Sequence, residues 1–253
     1  MIAAFLTGLR LHVKQASRNA FDMSGVIIWP ILYASIAYYL IGHEEQDYLL
    51  AATFGAGLML MWSLVVISSS GALEQQRWQG TLELVVGAPV PLVAVIAPLC
   101  VGGGIVGIYS IGATLLWGKV FFDVPVHVEQ PLAFAASIPM AALSIGMLGL
   151  IMASTFVLYR AAFHLGIATQ YPMWIVTGLL FSLSLLPGWV RPISWTLAPF
   201  WGMNAMKESA LGGTPWPDIG MCALLSLVYL AIGWAFLTAF EHVARSRGSL
   251  KLT

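Results

Sequence analysis

The chain has 253 residues, 59% of them hydrophobic and only 9% charged, with a formal net charge of zero. A soluble domain carries about 25% charged residues, so these numbers exclude a freely soluble enzyme or a nucleic-acid-binding module. Several uncharged runs exceed the ~20 residues that cross a ~30 Å hydrocarbon core, which makes the chain an all-α, multi-pass integral membrane protein.

Residues 1–21 set Phe5, Leu6, Leu9 and Val13 at helical spacing, with Arg10, Lys14 and Arg18 on another face. This predicts an amphipathic helix lying on the membrane surface. No small-residue cleavage site follows it, so no cleaved leader is expected. Met23–Ile41 reads as the first span, with a kink expected at Pro30. The acidic loop His43–Asp47 leads to a second span, Tyr48–Ala72. A polar island then covers residues 73–90. Its flanks are apolar: no charge occurs between Asp47 and Glu74 or between Glu83 and Lys119. The third span falls within Leu92–Trp117, where Pro98 precedes Gly102, Gly103, Gly104 and Gly107; Gly103 and Gly107 have the spacing of close helix packing. Lys119–Gln130 is a short loop, Leu132–Leu158 a fourth span, Arg160–His164 a basic break and Gly166–Leu186 a fifth span. Residues 187–217 hold too much proline and glycine to span and too many tryptophans for a free loop, which predicts one or two short helices dipping into one membrane face. Asp218–Phe240 is the sixth span, ahead of a basic tail.

Orientation follows from lysine and arginine. With the N-terminus in the cytoplasm, eight of the eleven lie inside, and the outer three are Lys119, Arg191 and Lys207. Both termini and the polar island are then cytoplasmic, and residues 187–217 face out.

Ionisable groups inside the membrane mark enzymes and ion-coupled carriers. Here no Asp, Glu, Lys or Arg occupies the middle of a span, and the five histidines fall at segment ends or in loops. Ser68, Ser69 and Ser70 lack the glycine framing of a nucleophile elbow, and neither HExxH nor CxxC occurs. Cys100 and Cys222 lie in apolar runs and read as small hydrophobes. Gly112–Val120 misses a phosphate loop by one residue of spacing and by the lack of Ser or Thr after Lys119. No catalytic residue, metal site or nucleotide site is expected in this chain.

Within the island, Glu74 and Arg77 are three apart and can pair on one helix face. Gly80 breaks that helix. Thr81 can cap a new short one with Glu83 in its first turn, Leu82, Leu84, Val85 and Val86 as an apolar ridge, and Gly87, Pro89 and Pro91 to close it. The order Glu74, Arg77, Gly80, Thr81, Leu82, Glu83, Pro89 resembles the cytoplasmic loop of ABC-2-type (type V) ABC exporter permeases. Residues 187–217 resemble the outer segment of the same family through Pro187, Trp189, Pro192, Pro199 and Lys207, although that family has arginine near the position of Lys207.

The resemblance covers nearly all of residues 1–253, read as one transmembrane domain with six spans. It implies that residues 73–90 form a coupling helix docked on a separate ABC ATPase. Two ATPase subunits per complex would bind ATP and Mg, with no cofactor on this chain, and a second permease copy or a paralogue would complete the transporter among membrane lipids. Trp189, Trp195, Trp201 and Trp216 gather at the outer face, as membrane anchors or as a lid over the exit. The uncharged spans point to export of a hydrophobic or amphipathic cargo (a drug, antibiotic or lipid) across the cytoplasmic membrane by alternating access. The alternatives are a lipid-linked polysaccharide as cargo, and a scaffold or sensor that binds an ATPase without transporting anything.

Overall fold

The computed structural model describes residues 2–18, 20–41, 46–78, 80, 90–124, 127–156, 162–180 and 183–247, and among them it holds helices, turns and no strand. The helices are α1 Ile2–Arg18, α2 Ala20–Ile41, α3 Gln46–Trp78, α4 Leu92–Phe121, α5 Pro131–Phe156, α6 Ala162–Val176, α7 Val190–Trp195, α8 Ala198–Leu211 and α9 Pro215–Arg247. Four stretches among the described residues are long and apolar enough to cross a membrane: Tyr48–Gly71, Leu92–Phe121, Pro131–Thr155 and Pro215–His242. The pair α1 and α2 makes a fifth only if counted together, and the two are bent apart by 73°. The bend lets α1 lie across the start of α4, where Gly8 faces the Pro98 ring. Helix α2 runs through Pro30 without interruption.

The 33 residues of α3 extend about 50 Å at 1.5 Å each, well past a ~30 Å core. Its polar end, through Glu74 and Arg77 to Trp78, therefore continues beyond the apolar stretch. Burial locates the centre of the bundle: 78% of the spanning window of α3 and 72% of that of α4 are buried, against 28% for α9.

Small residues join the central helices. A Cβ on Gly107 would lie 2.8 Å from the Met61 Cα of α3, and one on Gly103 would lie 2.8 Å from Ser68 Oγ. The glycine pair expected to pack helices thus faces α3 directly. On the other side of α4, a Cβ on Gly146 of α5 would lie 2.8 Å from the Val101 Cα. Side-chain hydrogen bonds join α4 to its neighbours as well: Ser110 Oγ donates to the Gly57 carbonyl of α3 at 2.8 Å, and Trp117 Nε1 donates to Ser35 Oγ of α2 at 2.9 Å. The Tyr38 and Thr53 hydroxyls bond at 2.6 Å between α2 and α3, and Ser63 Oγ donates to Gln170 Oε1 at 3.1 Å between α3 and α6. Helices in lipid associate through such packing and polar contacts, because lipid offers no hydrophobic drive between them.

The fifth expected span is shorter than its hydropathy. Helix α6 stops at Val176, and its 15 residues reach only about 22 Å. Gly178 takes a left-handed conformation, φ 73°. Its N–H donates to the Ile175 carbonyl at 3.2 Å, and the Leu179 N–H donates to the Trp174 carbonyl at 3.1 Å. That pair of bonds is the Schellman arrangement, which closes a helix with glycine in the left-handed position. The Leu179 carbonyl of this turn rests where a Cβ on Gly55 of α3 would be.

Candidate functional site

The polar island hangs between the two most buried helices. Helix α3 carries Glu74 and Arg77 in its last turns. Gly80 follows in an exposed turn at φ 67°, with no atom of the described residues within 4 Å of where a Cβ would be. Thr81, Leu82 and Glu83 lie outside the described residues, as does Pro89. The chain returns at Val90 and Pro91, and α4 begins at Leu92.

Three elements meet at this return. Pro91, the N-cap of α4, is extended (φ −61°, ψ 139°) and makes no side-chain cap. The Leu92 N–H donates instead to Glu241 Oε2 of α9 at 3.0 Å. From α1, the half-buried His12 lays its ring against α4 where Gly102 leaves room, and burial holds its imidazole below the ordinary value of 6.5. In the sequence Glu241 stands just past the sixth expected span, Asp218–Phe240, and His12 belongs to the histidines at segment ends or in loops. The contacts of both cross long sequence separations, which local pattern does not carry.

The opposite end is built from residues 187–217, which form the two short helices α7 and α8. Pro187 and Pro192 are exposed, as are Trp189 and Trp195 at the two ends of α7. Pro199 is buried in the first turn of α8, and Trp201 and Lys207 are half-buried along it. Trp201 Nε1 donates to the Trp195 carbonyl at 2.7 Å, fixing α8 to the end of α7. No ring contact joins Trp189, Trp195, Trp201 and Trp216 to one another among the described residues.

Hydrogen bonds tie this segment to the spans. Ser194 Oγ of α7 donates to the Val176 carbonyl, one of the groups left open at the end of α6. Tyr229 OH of α9 donates to the Thr196 carbonyl. The Gln130 N–H donates to the Ser209 carbonyl at 3.0 Å, and Gln130 Nε2 donates to the Gly213 carbonyl at 2.7 Å. Irregular backbone at membrane depth requires such partners. The stop at Val176 had one legible signal, the Thr177-Gly178 step after an apolar run.

Chemically, the described interior offers hydroxyls, the Gln170 amide, the free thiols of Cys100 and Cys222, and aromatic rings. Among the described residues, the buried indole N–H groups of Trp62 and Trp174 have no hydrogen-bond partner, and an unmade bond at such a donor costs about 1–3 kcal/mol. Trp174 packs edge-on to Tyr33 and Tyr171, with ring centroids at 5.5 and 5.3 Å. No group of three or more His, Cys, Asp or Glu able to hold a metal occurs among the described residues.

No curated protein matches this chain. The family model for the ABC-2 type transporter matches residues 3–211, and that span takes in α1, both helices flanking the polar island, and α7 and α8. The chain therefore belongs to the ABC-2 type transporter family and is a multi-pass membrane permease component of an ABC transporter.

Proposed function

We propose that this chain is the permease subunit of an ATP-driven exporter that moves a hydrophobic or amphipathic cargo out across the cytoplasmic membrane. The observation that carries the reading is the polar island and its mounting. Helix α3 leads Glu74 and Arg77 past its spanning stretch and gives way to a turn at Gly80, and the chain re-enters the bundle on α4. Because α3 and α4 touch through Gly103 and Gly107, a push on the segment between them moves both together; close-packed interiors transmit displacement instead of absorbing it. On this reading Glu74, Arg77, Thr81, Leu82 and Glu83 dock on a separate ATPase subunit, which binds ATP and Mg. Gly80 supplies a backbone shape that other residues resist.

The six passes are α2, the four long spans, and α6 together with the irregular stretch after it. Lysine and arginine placement sets both termini and the island in the cytoplasm. Two ATPase subunits and a second permease, identical or paralogous, complete the transporter, with the cargo path between the permeases. Uncharged spans favour a drug, antibiotic or lipid as cargo. A lipid-linked polysaccharide is the second reading, favoured by the exposed tryptophans Trp189, Trp195 and Trp216, since aromatic faces also suit sugars.

The test is purification of the tagged chain from mild detergent with identification of what accompanies it. A stoichiometric soluble ATPase, lost when Glu74, Arg77 and Glu83 are replaced by alanine, is the expected result. A folded chain that retains no ATPase refutes the reading. Stimulation of that ATPase by lipophilic compounds, or by a lipid-linked glycan, then separates the two cargo classes.

A further inference from the structure

Helix α4 begins where the chain leaves the polar island, and it has no cap of its own. A helix leaves its first N–H groups without intrahelical partners, and the residue before the helix ordinarily supplies a side-chain acceptor. Pro91 supplies none. The buried Leu92 finds its acceptor 149 residues away, on the Glu241 carboxylate of α9. A carboxylate there also faces the positive end of the α4 dipole.

Helix α9 is otherwise loosely held to α4. It packs on α5 and α8, and only 28% of its spanning window is buried. Toward its other end, Tyr229 holds the Thr196 carbonyl of the outer segment. Helix α9 is thus a long strut, bonded at one end to the exit of the island and nearer the other to the end of α7.

We propose that Glu241 is a positioning residue that ties α9 to the exit of the coupling loop, so that displacement of the loop reaches α9, and through Tyr229 the outer segment, as well as α4. The inference rests on the docking reading given above.

Hydrogen–deuterium exchange on the assembled complex in nanodiscs tests it. Without nucleotide, Glu241→Ala speeds exchange at residues 92–95 by about 10- to 100-fold, the range for losing a hydrogen bond to a charged acceptor. Glu241→Gln, which keeps an acceptor at the same reach, restores most of the protection. With ATP and vanadate, the wild type changes its exchange in residues 73–91 and again in 237–247. Glu241→Ala keeps the first change and loses the second. Leu92→Pro removes the donor while leaving a residue tolerated at the first helical position, and it reproduces the loss. Unaltered protection of residues 92–95 in Glu241→Ala, or an undiminished response at 237–247 in both Glu241→Ala and Leu92→Pro, overturns the proposal. A wild type whose residues 73–91 ignore ATP and vanadate overturns the docking reading, and this inference with it.

Discussion

Replacing Gly107 by alanine tests whether the contact between α3 and α4 is as close as the structure has it. A Cβ at this position would sit 2.8 Å from the Met61 Cα, whereas ordinary contact begins near 3.4 Å, so α4 has to back away by about 0.6 Å. The neighbour is backbone and cannot rotate aside. A gap of ~0.5–1 Å forfeits about a quarter to a half of each contact along the seam, and overpacking of this kind costs about 1–3 kcal/mol. Alanine also gains about 1 kcal/mol of helix propensity over glycine, which blurs a single measurement. Gly112→Ala removes the ambiguity, because Gly112 lies on the same helix and no atom of the described residues is within 4 Å of its Cβ position. The propensity gain cancels between the two variants, and the difference between them is the packing term. Unfolding both by SDS titration in mixed micelles should place Gly107→Ala below Gly112→Ala by about 1–3 kcal/mol. Equal stabilities would mean that α3 and α4 do not meet at Met61.

The other predictions concern the turns and the two ends. Gly178→Val forces a branched residue into φ 73° and should lower stability by about 1–2 kcal/mol in the same titration; unchanged stability would place the end of α6 elsewhere. Gly80→Pro imposes a φ near −65° where the chain has 67°, and it should lower transport and ATPase stimulation while leaving membrane insertion intact, as should Glu83→Ala; normal transport by both would remove the coupling role from the island. The pH dependence turns on His12, whose lowered folded-state value means that the unfolded chain takes up its proton first as pH falls. Its contribution to stability is therefore full above 6.5 and is lost as pH drops from there through the depressed value. Thermal denaturation between pH 7.5 and 5 should show a fall that His12→Gln flattens; a fall of the same size in the variant would assign it to other groups.

How far the fold can be read in advance depends on which force writes each feature. The spans of α3, α4, α5 and α9 follow from charge placement, because a long run without charge between Asp47 and Glu74 has no low-energy place in water. Hydropathy does not distinguish a helix from irregular backbone sealed by hydrogen bonds. The stretch from Gly166 to Leu186 is uncharged throughout, yet the helix ends at Val176, and Gly178, one of 25 glycines, is the local sign. The glycines of α4 were legible as packing residues from their spacing, but their partners were not, since facing residues on α3 leave no mark in the order of the chain. The candidate docking residues are the reverse case. Glu74, Arg77, Gly80, Thr81, Leu82 and Glu83 are conspicuous as an ordered set of types, and the family match takes in the whole of that set. The brace at the exit of the island, Glu241 on Leu92, was invisible for the same reason as the helix partners.

The contacts at the two ends of the bundle bear on how force would travel through it. At the end holding residues 187–217, several carbonyls are taken by donors from other elements: Val176 by Ser194, Thr196 by Tyr229, Ser209 and Gly213 by Gln130. Backbone fastened at so many points moves as a block. At the Gly80 end, among the described residues, the Glu241 carboxylate of α9 meets the start of α4, and α1 packs on α4 at Gly8 and His12. This is the end that carries the polar island. On the proposed reading, work enters at the island and is delivered at the fastened outer segment. The route between the two is the glycine seam of α3 and α4, with α9 beside it. The seam can act as a rigid link because Gly107 brings no side chain of its own to Met61, whose Cα, Cβ and Cγ all lie within 2.8 Å of where a Cβ would be. Larger residues there would keep the helices apolar and the spans intact, yet would put a compressible layer between the two arms of the loop.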